Sequence, residues 1–399
     1  PQSFTGQECV EIDTHGGPVI VDAVLQACID GGARLAREGE FTWRAYLNGR
    51  IDLLQAEAIA DVIAATTRAQ VRVASRHLEG ALSAAIIGIG DDIARVRALL
   101  EASLDFPDEG FHFIERGDLV ARLGLVHDAC VRLLESADAG QRLHDGARVV
   151  IAGRPNAGKS SVFNGLLKRP RAIVTPVAGT TRDVLAEGTV FGGVPVQLID
   201  TAGVRHTTDP VEQEGVARAE EATASASLVI LVVDPSGTDE DREGSEALWA
   251  TLDGRARLCV LNKMDKWRAQ GTDASAMENW TPGASARGTH GVPDWCPADA
   301  IMVSALTGRG IDTLSERLAA ELGQARWDGA ILTRARHRSL VTACADAIAR
   351  ARATAVDEGS EEYILADLHD ALVALEDLRG VETPDDVLET IFSSFCIGK

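Results

Sequence analysis

A glycine-rich segment near the middle of the chain has the residue types needed to bind phosphate groups. It reads Gly153-Arg154-Pro155-Asn156-Ala157-Gly158-Lys159-Ser160 and is followed by Ser161. Glycines let backbone N–H groups point at phosphate oxygens, a lysine at this spacing reaches the β- and γ-phosphates, and a serine hydroxyl can ligate magnesium. An apolar strand pattern precedes the segment and a helical pattern follows it. We therefore interpret it as a phosphate-binding loop.

A second motif indicates which base is bound. Asn262-Lys263-Met264-Asp265 comes directly after the apolar run Leu258–Leu261. The carboxylate of Asp265 can accept two hydrogen bonds from the N1–H and the exocyclic amine of guanine, whereas adenine offers no such donor pair. We expect Asn262 to connect this motif to the phosphate loop. We also expect backbone contacts from Ser304-Ala305-Leu306 to complete a guanine pocket.

Two further segments have the residues that would surround a γ-phosphate. Asp200-Thr201-Ala202-Gly203 ends an apolar run and supplies an acid for magnesium and an N–H near the γ-phosphate. The loop Thr175-Pro176-Val177-Ala178-Gly179-Thr180-Thr181-Arg182-Asp183 is interpreted as a switch in which one threonine ligates magnesium. Its alternative is a polar surface loop.

The residue after Gly203 is unusual for a GTP hydrolase. It is Val204, where small GTPases carry a glutamine, and an isopropyl group cannot hydrogen-bond the attacking water. Asn156 suggests a substitute source of catalysis. Its amide oxygen, with carbonyls of residues 175–180, could hold a potassium ion between the phosphates. The alternative is an asparagine that only stabilises its own loop.

Proline placement and apolar periodicity indicate which elements position these motifs. Residues 53–143 contain Pro107 as their only proline and show apolar residues at spacings of three and four, which predicts long helices. Helical periodicity returns at 335–356 and 364–378. Between these regions, short β-rich runs alternate with helical patterns, which predicts a parallel sheet. These runs are Val149–Ile151, Gln197–Ile199, Val229–Val233 and Leu258–Leu261. We predict an α/β domain inserted into a discontinuous helical domain, and the alternative is three consecutive domains.

Composition and charge limit the function classes. The chain has 399 residues, 45% hydrophobic and 25% charged, with no apolar run of membrane-spanning length and no secretory leader, so we expect a cytoplasmic protein. A net charge of −21 disfavours indiscriminate nucleic-acid binding, so any RNA contact must be local. One basic cluster, Arg334, Arg336, His337 and Arg338, could contact RNA or a protein, or could be a solvated helix face.

Together with these motifs, short segments at both ends of the chain carry a resemblance. They are Ser3-Phe4-Thr5-Gly6, His15-Gly16-Gly17-Pro18, Gly39-Glu40-Phe41 and the terminal Phe395-Cys396-Ile397-Gly398-Lys399. The sequence resembles the MnmE (TrmE) family of tRNA modification GTPases over essentially its whole length. The resemblance implies a potassium-stimulated GTPase that dimerises through its G domains and works with the flavoprotein MnmG. Together they would add an aminomethyl or carboxymethylaminomethyl group to carbon 5 of the wobble uridine in certain tRNAs. The one-carbon donor would be 5-formyltetrahydrofolate or a related folate.

The resemblance also implies roles for particular residues. Potassium would be held by Asn156, Thr175, Val177 and Thr180, and magnesium by Ser160 and Thr181. Glu212, in Asp209-Pro210-Val211-Glu212, would orient the attacking water, although sequence alone favours an ordinary helix-start carboxylate. Folate would contact Glu11, Arg50 and Lys399. Cys396 would take part in the modification chemistry, and its alternative is a small buried hydrophobe.

The resemblance gives four domain segments. They are 1–48, a remnant of an N-terminal α+β folate-binding and dimerisation domain; 49–146, the first part of a helical domain; 147–325, the G domain; and 326–399, the second helical part. Residues 266–298 read as a long irregular insertion to which no function is assigned.

Two other functions compete with this interpretation. The first is a ribosome-assembly GTPase resembling Era or EngA, but no basic RNA-binding module of the KH type follows residue 325. The second is a switch whose GTP-dependent dimerisation regulates a partner without any modification chemistry. The terminal Cys396–Lys399 segment argues against this switch.

Overall fold

Two units divide the chain in the computed structural model. The helical unit comprises Pro1–Ala65, Val71–Gly140 and Trp327–Lys399, and the α/β unit comprises Thr66–Gln70 and Gln141–Arg326. The structure describes residues 2–105, 114–168, 186–200, 223–266, 293–323, 329–381, 383–393, 395 and 398. The predicted insertion of an α/β domain into a discontinuous helical domain is confirmed, and the alternative of three consecutive domains is wrong.

The described ranges contain the following helices and strands. The helices are α1 (Pro18–Asp30), α2 (Glu40–Leu47), α3 (Leu53–Ala64), α4 (Arg68–Leu78), α5 (Ala81–Asp105), α6 (Arg116–Glu135), α7 (Ala137–Asp145), α8 (Lys159–Leu167), α9 (Asp239–Thr251), α10 (Ile311–Gly323), α11 (Ala335–Val356), α12 (Glu361–Arg379) and α13 (Asp385–Ser393). The strands are β1 (Ala147–Ala152), β2 (Ala186–Phe191), β3 (Val194–Asp200), β4 (Leu228–Val233), β5 (Arg257–Leu261) and β6 (Ile301–Met302). None of these helices combines the length and apolar character that crossing a lipid bilayer requires.

The helical unit is organised around a core between α5, α6, α11 and α12. Ile93, Leu123, Ile348 and Leu368, one from each helix, are fully buried in a single apolar cluster. The apolar residues recur every three or four positions, so each helix presents one face to this core. α12 stops at Gly380, whose φ of 87° lies in the left-handed region that glycine adopts without strain.

A smaller apolar cluster joins α2, α3 and α13. The ring of Trp43 packs edge-on against Phe392 with centroids 4.9 Å apart, and Phe395 stacks on Phe392. Leu53, at the start of α3, is fully buried beside them. This cluster anchors the part of the C-terminal segment that leads to Cys396, which itself lies outside the described residues.

The α/β unit contains a sheet of six strands among its described residues, in the order β2-β3-β1-β4-β5-β6. β1 pairs in parallel with β3 and β4, and β5 pairs in parallel with β4 and β6. Only β2 runs antiparallel, on β3. Because parallel strands end at one edge, the segments after β1, β3, β4, β5 and β6 gather there, which is where ligands bind in such sheets.

Three of the four basic residues at the start of α11 contact carboxylates of α3. His337 is 2% exposed and its Nε2 lies 2.7 Å from the carboxylate of Glu57. The same carboxylate accepts a hydrogen bond from Arg336, and Arg334 pairs with Asp61. Arg338 is more exposed and pairs with an aspartate of α7. Carboxylates distant in sequence thus neutralise this cluster inside the helical unit.

Candidate functional site

The phosphate loop joins β1 to α8 through backbone conformations that favour glycine. Gly153 has φ of 148° and Gly158 has φ of 93°. A Cβ added at Gly153 would lie 2.3 Å from the carbonyl oxygen of Val232, and one added at Gly158 would lie 2.2 Å from Nδ2 of Asn262. Neither position therefore accepts a side chain. The close packing brings the loop backbone against the ends of β4 and β5.

The loop surrounds a buried lysine. Lys159 is 5% exposed, and its ammonium donates hydrogen bonds of 3.0 Å to the carbonyls of Gly153 and Arg154. Gly158 is the N-cap residue of α8, so the N–H groups of the first turn and the positive end of the helix dipole face the same place as the ammonium. This arrangement can bind an anion such as a phosphate group.

Beside the loop, the donor atoms fit a magnesium ion. The Ser160 hydroxyl lies 2.7 Å from Oδ2 of Asp200, which ends β3 and is 2% exposed. Both residues line a cavity of about 400 Å³ together with Glu187. Hydroxyl and carboxylate oxygens are the hard ligands that magnesium prefers, and magnesium usually keeps several waters besides one or two protein ligands.

Asn262 connects three loops at the carboxyl edge of the sheet. Its side chain is buried, donates 3.0 Å to the carbonyl of Ala157 and accepts 3.1 Å from the N–H of Ala305. The Ser304 hydroxyl donates 2.6 Å to Oδ1 of Asp265. The Asp265 side chain is otherwise open to solvent. Its carboxylate is thus held by Ser304 and can still accept hydrogen bonds from a base.

Lys263 has a partner that the sequence analysis did not single out. Its ammonium lies 2.7 Å from Oδ2 of Asp234, the residue after β4. Burial raises the pKa of Asp234, but hydrogen bonds from Lys263 and Ser236 outweigh it and hold this pKa below its ordinary value. The only sequence signal for Asp234 was its position directly after a fully buried parallel strand.

The remaining residues predicted for nucleotide binding divide into two groups. Asn156 is exposed with φ of 63°, Ala157 is buried, and Ser161 and Leu306 are exposed. The rest fall outside the described residues. These are Thr175, Pro176, Val177, Ala178, Gly179, Thr180, Thr181, Thr201, Ala202, Gly203 and Glu212.

Of the predicted folate residues, the structure describes Glu11 and Arg50, and both are exposed. Arg50 lies against the opening segment, because a Cβ added at Gly6 would be 3.2 Å from its Cγ. Asn48 holds the same segment by donating 2.8 Å to the carbonyl of Thr5. Lys399 and Cys396 lie outside the described residues.

This site has the features that define P-loop GTPases. They are the glycine-lined loop, its buried lysine, the serine and aspartate beside it, and the Asn-Lys-x-Asp motif. Family models extend this to the whole chain: "MnmE helical domain" matches residues 53–396 and "GTP-binding protein TrmE N-terminus" matches residues 1–50. The chain belongs to the MnmE family. The alternative of an Era- or EngA-like ribosome-assembly factor is therefore dropped.

Curated relatives agree with this assignment. The "tRNA modification GTPase MnmE" of Chromohalobacter salexigens is 40% identical over 405 residues, covering 100% of this chain and 84% of the relative. The protein of the same name from Symbiobacterium thermophilum is 42% identical over 401 residues, with the same two coverages. Among solved structures, Era in complex with MgGDPNP and ribosomal RNA aligns with 50% of this chain and 66% of that chain at 22% identity. Its TM-score of 0.33 is too low to support any argument.

Proposed function

We propose that this protein is a potassium-stimulated GTP hydrolase that acts with the flavoprotein MnmG on certain tRNAs. The product would be an aminomethyl or carboxymethylaminomethyl group on carbon 5 of the wobble uridine. The observation that carries the proposal is the Asn262 side chain, which joins the phosphate loop to the base motif in a chain that belongs to the MnmE family. We propose that the protein acts in the cytoplasm as a homodimer that assembles with MnmG. We also propose the four domain segments predicted above.

Within this proposal, the phosphate loop binds and orients GTP. The Lys159 ammonium exchanges the carbonyls of Gly153 and Arg154 for phosphate oxygens, and the N–H groups at the start of α8 add further donors. Ser160, Asp200 and Thr181 would hold magnesium, which would supply positive charge to the β- and γ-phosphates. Asp265 accepts the N1–H and amine of guanine.

The attacking water requires a group other than Val204. We assign that role to Glu212, whose carboxylate can accept a hydrogen bond from water. Glu212→Ala removes every side-chain acceptor for the water and should lower kcat about 100-fold while leaving the dissociation constant for GTP unchanged. An unchanged kcat would remove Glu212 from the mechanism.

Potassium is assigned to Asn156 with Thr175, Val177 and Thr180. The exposed Asn156, at φ of 63°, lies on the open side of the phosphate loop, where an amide oxygen can reach a cation. A bound potassium ion supplies the positive charge that an arginine finger provides in other GTPases. Replacing potassium by sodium should abolish the stimulation of hydrolysis, and Asn156→Ser should abolish it equally. Asn48→Ser, at an exposed asparagine of the helical unit, is the control and should respond fully. Equal rates in both salts would overturn the assignment.

A folate one-carbon donor is assigned to Glu11, Arg50 and Lys399, with Cys396 as the nucleophile or redox group of the modification chemistry. Arg50→Ala should weaken binding of 5-formyltetrahydrofolate, measured by calorimetry. Arg68→Ala, at another exposed arginine, should leave binding as in the unmodified chain. Binding that is unaffected by Arg50→Ala would exclude this residue from the folate site.

The complete proposal is tested on tRNA. A bacterial strain lacking its own MnmE is given this chain or its Lys159→Ala variant, and its tRNA nucleosides are measured by mass spectrometry. Restored aminomethyl-type wobble uridines with the unmodified chain alone would support the proposal. A chain that hydrolyses GTP but restores nothing would instead favour the remaining alternative, a GTP-regulated switch without modification chemistry. Cys396→Ser separates these readings further, because the switch predicts no effect of this change.

A further inference from the structure

Asp234 occupies a defined place in the α/β unit that no motif assigns. It directly follows β4, whose residues are all buried between β1 and β5. Its side chain is 16% exposed, and Oδ2 lies 2.7 Å from the Lys263 ammonium. β4 and β5 are adjacent and parallel, so their ends place Asp234 next to the Asn-Lys-x-Asp motif.

The orientation of the Asp234 carboxylate is fixed from its other oxygen. Oδ1 accepts a 2.9 Å hydrogen bond from the N–H of Ser236 and a 2.6 Å hydrogen bond from its hydroxyl. The carbonyl of Asp234 accepts a further bond from Gly237, which closes a turn. One carboxylate oxygen therefore holds the turn while the other is directed at Lys263, so the ion pair is made by a group that is already oriented.

Lys263 is held in a backbone conformation that lysine rarely adopts. Its φ is 61°, within the left-handed region. Its Cε lies 3.9 Å from the position of a Cβ added at Gly158, so its stem passes beside the phosphate loop. Asn262 thus bonds the phosphate loop, and Lys263, at the next position, passes beside it. The backbone of this motif connects directly to Asp265, which must meet the base.

We propose that Asp234 is a positioning residue for the guanine-nucleotide site, acting through Lys263. By holding the Lys263 ammonium, the carboxylate keeps the lysine stem beside the phosphate loop and the following Asp265 aligned with the base. This inference rests on the proposed guanine-nucleotide site and adds to it a residue from the end of β4. It concerns the tightness of nucleotide binding, not the chemical step.

The test compares Asp234→Asn with the unmodified chain. The amide keeps the shape of the side chain but removes the charge, so we expect the dissociation constants for GDP and GTP to rise about tenfold, as for the loss of a hydrogen bond to a charged group. kcat should change less than twofold. The control is Asp253→Asn, which removes a 2.7 Å ion pair with Arg257 from an 83% exposed aspartate of the same unit and should change neither constant.

A double-mutant cycle separates positioning from general stability. If Asp234 acts through Lys263, then Asp234→Asn should have no further effect on binding in a Lys263→Met background. Asp234→Glu should restore part of the affinity because it restores the charge. If Asp234→Asn does not fold, a second cycle uses Asp234→Glu, Lys263→Arg and the variant that carries both changes. This cycle measures the same coupling between the two side chains.

Two results would overturn the inference. One is a lower melting temperature for Asp234→Asn with unchanged dissociation constants, which would make Asp234 only structural. The other is full additivity with Lys263→Met. Failure of the unmodified chain to bind guanine nucleotides would be a different result, because it would remove the proposed function itself.

Discussion

His77 should make the helical unit sensitive to acid at a pH where carboxylates are still ionised. It lies on α4, is 3% exposed, and its Nε2 has no hydrogen-bond partner in the described part of the chain. Burial, helped by the nearby His337, lowers its pKa to about 4, although Asp61, the backbone of Ile331 and Glu57 oppose the shift more weakly. The folded protein therefore keeps this ring neutral.

The sign and size of the effect follow from proton linkage. In the unfolded chain the ring takes up a proton near pH 6.5, whereas in the folded chain it does so near pH 4. Its contribution to stability is therefore complete above pH 6.5 and is lost as the pH falls toward 4. Each pH unit in this window costs about 1.4 kcal/mol, so lowering the pH from 6.5 to 5 should cost about 2 kcal/mol of unfolding free energy.

The assay is urea unfolding followed by circular dichroism at pH values between 7.5 and 5. His77→Asn keeps a donor near the Ile331 backbone but cannot be protonated, so its stability should lose about 2 kcal/mol less than the unmodified chain over this range. His127→Asn, at a partly exposed histidine of α6, controls for the loss of a histidine. If His77→Asn and the unmodified chain lose stability with the same slope, the assignment of the acid sensitivity to His77 is refuted.

Three further substitutions test the site and the fold. Asp265→Asn should weaken GTP binding about 100-fold and strengthen XTP binding, because an amide can donate to the C2 oxygen of xanthine. Competition against a fluorescent nucleotide measures both affinities. Unchanged selectivity between GTP and XTP would contradict the assignment of Asp265 to the base. Gly158→Ala should abolish nucleotide binding, because its methyl group would lie 2.2 Å from Nδ2 of Asn262 at φ of 93°. Gly254→Ala, also at positive φ but with no atom within 4 Å of its Cβ, separates the clash from backbone strain. Glu57→Gln should lower the unfolding free energy by about 3 kcal/mol, measured in urea at pH 7, because Arg336 and the buried His337 lose the carboxylate that they contact. A loss below about 1 kcal/mol would show that these contacts contribute little.

The inserted architecture could be predicted because each region has its own periodicity. The strand runs Val149–Ile151, Gln197–Ile199, Val229–Val233 and Leu258–Leu261 lie within β1, β3, β4 and β5. The β2–β3 hairpin was missed, although its turn carries a signal. Gly192 and Gly193 both have positive φ, at 60° and 88°, as a two-residue hairpin turn of type I′ requires. The Gly-Gly pair between Phe191 and Val194 is therefore the signal that would have predicted this hairpin.

The last residues of segment 266–298 are not an exposed loop, whereas the sequence predicted an irregular insertion for the whole segment. Cys296 is 4% exposed and packs with Cys259 of β5, their Sγ atoms 3.6 Å apart, and Trp295 packs against the same cluster. Composition alone could not show this, because residues 266–298 mix tryptophans with Gly, Ser, Thr and Pro. The last residues of this segment instead cover the buried face of β5.

The sequence did not show which carboxylates contact the basic residues at the start of α11, because these partners are distant in sequence. His337 and Glu57 are 280 residues apart, and Arg334 and Asp61 are 273 apart, so no local pattern connects them. The ion pair between Asp234 and Lys263 was not predicted for the same reason, although the motif that contains Lys263 was recognised. Motif reading identifies the groups that meet a ligand, whereas the groups that orient them are contributed by neighbouring strands and helices.

The ion pairs between α3 and the start of α11 connect the two parts of the helical unit that are separated in sequence. The pairs between α3 and the start of α11 join chain segments that precede and follow the inserted α/β unit. Loop-closure entropy grows only slowly with length, so a long insertion between those segments costs little more than a short one. The insertion nevertheless requires that α11 dock in one register. Charges buried with specific partners suit this requirement better than apolar contacts alone, because a shifted helix would leave Glu57 buried without its cations.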